Sequence, residues 1–452
     1  MPWLTKSRFM SGRQCAKRLW FEVNAPLEVR EPESLAILQG RAFDDFVRKL
    51  WPGVVIDRER GMPAAIAQTS RVLAAGGVPV LHQAAVRNGE FAIIADVLRS
   101  DRGGAELVEI KASTSVRPEH VADAAFQVLV LRGARVRVER ARIGHVNSAF
   151  TLQRAGEYHG LLIEQDITAE VEALLPALAD EAIVLHRVMS ARETPQIAMG
   201  PQCRVPYECP FIGRCSGGAP ASGLSTHKDP RVRAGAADGA SSFDPRQAAE
   251  LRGHPWPRSY LDFETIGFAV PEVVGTRPYE PLPFQWSLHI EAADGGLRHA
   301  EYLATRQFGD FAALSKALIA AVPDEGPVYA YNASFEGRAL ELLGRLAPEH
   351  KADLARLRAR LVDLLPITRR AYYHPRMMGS WSIKAVIPTI TAALAYDTLG
   401  GVQDGEAAQR AFLELRNGGP DEPRRARLEQ ELLAYCRRDT EVLVTLARFL
   451  QS

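Results

Sequence analysis

The chain has 452 residues, 46% of them apolar and 24% charged, which suits two or three globular domains and excludes wholesale disorder, a fibrous chain and a single small module. Fifty-five Lys plus Arg against 54 Asp plus Glu give a net charge of +1, so no global field advertises a polyanionic partner, and any anion must be held by a local patch. No run of about 18 apolar residues occurs, and Lys6, Arg8, Arg13, Lys17 and Arg18 interrupt the N-terminal stretch, so the expectation is a soluble cytoplasmic protein with no membrane partner.

In chain order, the first half predicts a helix over 35–50, strands at 80–86, 90–98 and 106–111 with a polar turn at 100–105, a helix over 120–131 and a strand over 136–146. From 216 to about 253 Gly, Ala, Ser, Pro and Asp dominate and apolar periodicity disappears, which marks 217–256 as a linker. One short helix is expected inside it, capped by Asp244 and opened by Pro245. The second half predicts strands at 259–264, 284–292 and 327–332 and helices over 308–321, 335–346 and 427–449. The expectation is therefore an α/β protein of two domains, 1–216 and 257–452. It has no repeat of fixed period and no phosphate-binding GxxxxGK[ST] loop, since no Lys follows a Gly.

In the first half, Asp96 on one strand is followed by Glu109-Ile110-Lys111 on the next, and the period of two puts Glu109 and Lys111 on one face. Two acids and a lysine so placed can bind Mg²⁺ and position a water, although a short pattern of this kind is more often an exposed hairpin with an ion pair. Asp44 lies upstream on the first helix, and Asp123 with Gln127 on the helix downstream. Of five cysteines, Cys203, Cys209 and Cys215 cluster and Cys15 stands near the N-terminus. Four thiolates are a shell for an iron-sulfur cluster or for structural zinc, and the C-x5-C-x5-C spacing decides little between these and unrelated buried thiols. Cys436 reads as a small packing residue.

The order of these elements resembles the PD-(D/E)XK nucleases of the RecB type, including the CRISPR-associated RecB-like exonucleases. The resemblance implies a restriction-endonuclease-like α/β core with Asp96, Glu109, Lys111 and Gln127 at its site and Asp44 as a further metal ligand. It also implies a [4Fe-4S] cluster on Cys15, Cys203, Cys209 and Cys215, with structural Zn²⁺ as the alternative. The sequence departs from the pattern at Asp44, where members have His, and at Leu131, where a Q-x-x-x-Y element has Tyr.

In the second half, Asp262 and Glu264 are two apart on a strand and so share a face. An isolated DxE is more often a half-exposed strand with acids facing water, but Tyr260, Leu261 and Phe263 argue for burial, where each unpaired acid costs several kcal/mol and a metal is the simpler account. Asn332 and Glu336 sit at a strand-to-helix junction, and Tyr435 and Asp439 are four apart on the last helix. A strand DxE, an N-x-x-F-acid and a late Y-x-x-x-D in this order resemble the DEDD family of 3′-to-5′ exonucleases, with a ribonuclease H-like fold. The resemblance implies that Asp262, Glu264, Glu336 and Asp439 hold two Mg²⁺ or Mn²⁺ ions and that Tyr435 orients the attacking water. Glu336 departs from the pattern, since most members have Asp there. Lys384 is a candidate phosphate contact or a solvated helix-start residue.

Candidate basic patches are Arg132, Arg135, Arg137, Arg140 and Arg142, and Arg369, Arg370, Arg376, Arg437 and Arg438, with Tyr372, Tyr373 and His374 placed to stack on unpaired bases. The chain as a whole resembles a bacterial family in which the two modules are fused. The function expected is metal-dependent hydrolysis of DNA or RNA, from a single-stranded 3′ end by the second domain, with the first cutting or holding DNA. The alternative is a nucleic-acid-binding adaptor with one or both sites degenerate.

Overall fold

The computed structural model of the chain describes residues 2–28, 33–101, 104–217, 224–304, 308–418 and 421–452. It is mixed α/β and divides into two compact units, Met1–Pro220 with Phe268–Pro278, and Ala221–Gly267 with Tyr279–Ser452.

The first unit is built on a seven-stranded sheet of β1 (Leu4–Thr5), β2 (Val54–Val55), β3 (Val80–Asn88), β4 (Phe91–Asp101), β5 (Gly104–Lys111), β6 (Val138–Val146) and β7 (Leu162–Asp166). Its helices are α1 (Lys6–Gln14), α2 (Ala16–Asn24), α3 (Leu35–Leu50), α4 (Met62–Ala75), α5 (Pro118–Gly133), α6 (Thr168–Met189) and α7 (Ile212–Ser216). The strand order is β2-β3-β4-β5-β6-β7, with β1 parallel to β4. β3, β4 and β5 form an antiparallel meander, whereas β5 and β6 run parallel because α5 makes the crossover between them. Small residues Ala122, Ala124 and Ala125 let α5 pack closely, and Phe9 of α1 stacks on Phe126 with ring centroids 4.3 Å apart. Of the turn expected at 100–105, residues 102 and 103 lie outside the described residues.

The second unit contains β8 (Ser242–Phe243), β9 (Arg258–Ile266), β10 (Leu282–Glu291), β11 (Leu297–Leu303), β12 (Val328–Ala330), β13 (Leu361–Asp363) and β14 (Tyr372–Tyr373). Its helices are α8 (Pro230–Asp238), α9 (Phe311–Ala321), α10 (Ser334–Leu346), α11 (Lys351–Arg358), α12 (Leu364–Ala371), α13 (Ile383–Ile390), α14 (Gly405–Arg416) and α15 (Glu422–Gln451). The main sheet has the order β11-β10-β9-β12-β13, antiparallel through β9 and parallel beyond it. β10 is buried along its whole length, and α15 lays a stripe of Leu428, Leu432, Tyr435, Cys436, Asp439 and Leu446 against the layer. No helix among the described residues is long and apolar enough to cross a membrane.

The stretch 217–256 is not a bare linker. Residues 218–223 lie outside the described residues, and beyond them α8, β8 and a 3₁₀ helix (Pro245–Gly253) belong to the second unit. Asp244 caps that 3₁₀ helix as expected, its carboxylate accepting from the Arg246 N–H at 3.1 Å. Val232, Ala248 and Leu251 are each fully buried, but three apolar anchors spread through Gly, Ala and Arg are too sparse to show a period. The second unit is also not continuous in sequence. Residues Phe268–Pro278 belong with the first unit, where the Ala269 N–H donates to Gln39 Oε1 at 2.8 Å and Leu152 pairs with Thr276 at 3.0 Å.

Arg258, at the start of β9, ties the 3₁₀ helix to the end of α15. Its guanidinium donates to the carbonyls of Leu251 and His254 at 2.9 and 3.0 Å and to Gln451 Oε1 at 2.6 Å, and lies 3.9 Å from the Trp256 ring centre. Arg258→Ala leaves these acceptors unpaired in a buried place, so it is expected to cost about 2–4 kcal/mol, read as a lower urea midpoint for the second unit with unchanged slope.

Candidate functional site

In the second unit β9 is the middle strand, and its alternation points Asp262 and Glu264 to the α15 side. On α15, Tyr435, Cys436 and Asp439 lie on one buried stripe, because positions three and four apart return to the same face. Cys436 Sγ sits 3.8 Å from Asp262 Oδ2, and one ligand atom from each of Asp262, Glu264 and Cys436 can be chosen so that all lie within 4.8 Å of one another. Burial pushes the Asp262 and Glu264 carboxyls well above the usual carboxylate range, and the Asp439 charge adds to both. Asp439 is pushed up to about 6 by burial, against the opposing pull of a hydrogen bond from Tyr396 and the charge of Lys384.

Glu336, in the first turn of α10, is 2% exposed, and its Oε2 has no hydrogen-bond partner. Burial pushes it up to about 8, and Asp363 at the end of β13 adds to that. Its charge also acts on Asp262. Asn332 adopts a left-handed conformation at φ 69°, and its N–H donates to Asp363 Oδ1 at 2.9 Å, which fixes the turn into α10.

Tyr396 was not legible in the sequence, and Lys384 and Cys436 make contacts that the sequence did not show. Tyr396, in the short 3₁₀ helix Tyr396–Thr398, donates its hydroxyl to Asp439 Oδ1 at 2.5 Å. Lys384 of α13 places its ammonium 5.0 Å from the ring centres of both Tyr396 and Tyr435 and donates to the Gln403 carbonyl. It therefore stands at the start of α13, as expected, and over the acids' tyrosines as a buttress. Cys436 is buried, but it faces the acids as well as packing.

In the first unit, Glu109 and Lys111 of β5 share a face as expected, and α5 brings Asp123 and Gln127 to them. Lys111 Nζ donates to Glu109 Oε1 and Asp123 Oδ2, both at 2.6 Å, and Gln127 Nε2 donates to Glu109 Oε2 at 2.7 Å and Asp123 Oδ1 at 3.1 Å. Asp96 Oδ2 accepts the Ile110 N–H at 3.0 Å, which places it beside Glu109. Lys6 of α1 was not foreseen: its Nζ donates to Glu109 Oε1 at 2.7 Å across 103 residues. Burial works against the Glu109 charge, but Lys111 and Lys6 overcome it and hold that carboxyl well below its usual range. Asp96, Asp44 and Asp123 go the other way, Asp44 to about 6, through burial and the Glu109 charge. Asp44, Asp96 and Lys6 line a cleft of about 560 Å³ whose wall carries Arg41, Arg48 and Arg58.

Cys15, Cys203, Cys209 and Cys215 all line one small cavity. Cys15 marks the break between α1 and α2, and the Cys209 N–H returns to the Cys203 carbonyl at 2.8 Å, folding the later segment back on itself. Gln14 Nε2 donates to the carbonyls of Gln202 and Tyr207, tying the two ends of the unit together beside the thiols.

The basic patches are mostly spent on ion pairs. Arg132 pairs with Glu172, Arg137 with Glu139, Arg140 and Arg142 with Glu106, Arg370 with Glu250, and Arg437 and Arg438 with Glu441. Arg369 lies over the Trp381 ring and Arg376 donates to the Pro388 carbonyl. Tyr372 and Tyr373 are buried, Tyr372 bonding Thr389 and Tyr373 packing on Trp381, so they do not offer faces to bases.

A family model described as a domain of unknown function, DUF2779, matches residues 259–382, which hold Asp262, Glu264 and Glu336 but neither Tyr435 nor Asp439. No curated protein matches the chain.

The raised carboxyls make the folded, metal-free chain bind protons more tightly than the unfolded chain, so their contribution to stability is present below about pH 4 and is lost as pH rises through about 6 for Asp439 and about 8 for Glu336. The thermal midpoint of the metal-free protein is expected to fall between about pH 5 and pH 8, and Asp262→Asn to flatten that fall; differential scanning calorimetry across this range checks both.

Proposed function

We propose that this protein is a metal-dependent nuclease whose second unit trims nucleic acid from a 3′ end. The observation that carries the reading is the convergence of Asp262, Glu264, Asp439 and Glu336, from three separate segments, around one buried region where their charges repel. The unpartnered Glu336 Oε2 and the raised carboxyls describe an oxygen-rich donor set, and hard divalent ions take such oxygens. Asp262, Glu264 and Asp439 would hold Mg²⁺ or Mn²⁺, with Glu336 binding from the edge. Such ions would supply an activated water and charge neutralisation at the leaving oxygen. Tyr396 fixes the Asp439 carboxylate, and Tyr435, beside it, holds the water's position. Lys384 keeps the two tyrosine rings in place. The order β11-β10-β9-β12-β13, with the acids on the middle strand, supports a ribonuclease H-like assignment for this unit.

For the first unit, Asp96, Asp44 and Glu109 beside an arginine-walled cleft support a RecB-like phosphodiester site, with Lys111 steadying developing negative charge. One observation favours the adaptor reading there. Lys6 and Lys111 already neutralise Glu109 and Asp123, so this site is less starved of a cation and can hold nucleic acid without cutting it. The four thiols around one cavity support a [4Fe-4S] cluster that clasps the ends of the unit, with Zn²⁺ as the alternative occupant, and free thiols of this kind fit a reducing cytoplasm.

End-labelled single-stranded DNA and RNA, incubated with Mg²⁺ or Mn²⁺, are expected to be shortened from the 3′ end, with Asp262→Asn slowing the reaction by about 100-fold or more and Lys111→Ala leaving trimming intact. Absence of metal-dependent cleavage on every substrate, with binding retained, would establish the adaptor instead. Anaerobically purified protein is expected to show a broad absorbance band near roughly 400 nm that Cys203→Ser removes, whereas colourless protein carrying about one zinc would assign the thiols to zinc.

A further inference from the structure

The site on β9 and α15 contains a donor that an all-oxygen magnesium site does not need. Cys436 is fully buried, and its sulfur lies 3.8 Å from Asp262 Oδ2, in one group with Asp262 and Glu264 whose ligand atoms are all within 4.8 Å. A thiolate at about 2.3 Å and a carboxylate oxygen at about 2.1 Å on one tetrahedral ion stand about 3.6 Å apart, so the observed pair is already near coordinating separation. A second observation points to a cation at this place. Glu336 Oε2 is buried without a hydrogen-bond partner, and its charge acts on Asp262.

We infer that Cys436, together with Asp262 and Glu264, makes this a site for thiophilic divalent cations of the Zn²⁺ and Cd²⁺ type, which compete there with Mg²⁺ or Mn²⁺. The inference rests on the reading of Asp262 and Glu264 as metal ligands and adds the sulfur to it. Sulfur selects soft and borderline cations over hard ones, while the two carboxylates supply the remaining negative charge. Coordination replaces the S–H bond by a metal–sulfur bond and releases the proton to solvent, with no change of oxidation state. The full burial of Cys436 keeps bulk oxidants and alkylating reagents away, so the thiol is preserved for a small ion.

The test is Cd²⁺ and Zn²⁺ titration of the full-length, anaerobically purified protein, compared with Cys436→Ser and Asp262→Asn, with Mn²⁺ titrated in parallel. The four other thiols are common to all three proteins, so difference spectra report Cys436 alone. The expected result is a Cd²⁺–thiolate charge-transfer band in the wild type, in excess of that in Cys436→Ser and also lost in Asp262→Asn, together with a Zn²⁺ to Mn²⁺ affinity ratio lower by about tenfold or more in Cys436→Ser. Cys436→Ala, with a thermal midpoint near that of the wild type, guards against misfolding as the cause. Identical Cd²⁺ spectra and affinity ratios in wild type and Cys436→Ser, with Mn²⁺ binding that depends on Asp262, overturn the inference and leave the acid site standing. Mn²⁺ binding indifferent to Asp262 overturns both.

Discussion

The second unit is organised around unbalanced negative charge. Asp262 and Glu264 project from the middle strand of a sheet, where neighbours on both sides and a long helix above remove most of the water that would screen them. A buried carboxylate without a partner costs several kcal/mol, and neighbouring carboxylates raise that cost further. The chain offsets part of it with Lys384, whose charge acts on Glu264 and Asp439, and with the Tyr396 hydroxyl. On the proposed reading, a cation would offset the rest. Stability given up by the buried acids would then return as affinity for that ion, because whatever binds only the folded form stabilises it.

The first unit solves the same electrostatic problem by the opposite route. Glu109 and Asp123 are buried like the acids on β9, but Lys6 and Lys111 reach them from α1 and β5 and Gln127 bridges them from α5. Side chains pair both, and of the acids here Glu109 is held below its usual range while burial and the Glu109 charge raise Asp123 as well as Asp96. Asp96 and Asp44 stand on the wall of the arginine-lined cleft, where the proposed reading has them meet a cation. Lys6 makes this site depend on the first turn of α1, just after β1 enters the sheet. A change at the N-terminus is therefore transmitted to Glu109 without any intervening element.

What the sequence made legible follows from the range of the signal. Period-two alternation placed Asp262 beside Glu264 and Glu109 beside Lys111, and helical spacing put Tyr435 and Asp439 on one buried stripe. These are local facts, and the strands and helices that carry them are close to those expected. Lys6 meets Glu109 across 103 residues and Tyr396 meets Asp439 across 43, and no spacing rule spans such gaps. The stretch 217–256 read as a linker because its composition is that of loops, yet caps at Asp229 and Asp244 and a few buried anchors suffice to dock it. The basic runs show the same limit of range. Charge along a segment says nothing of the acids that fold against it, and most of those arginines are paired.

Cys436 shows how much chemistry helix phase alone can assign. Its neighbours on the motif, Tyr435 and Asp439, are four residues apart, and the residue after the tyrosine falls three before the aspartate, still on the inward side of α15. A residue at that phase must face β9, and Asp262 is what β9 presents there, at 3.8 Å. A larger side chain would collide with the strand, and a charged acid would add a further repelling charge to the group. A thiol is small enough to fit and neutral until a cation arrives, after which it becomes a ligand. The same position that lets α15 close on the sheet thus gives the acid group its one soft donor among the described residues and, on the inference drawn above, a means of distinguishing one divalent ion from another.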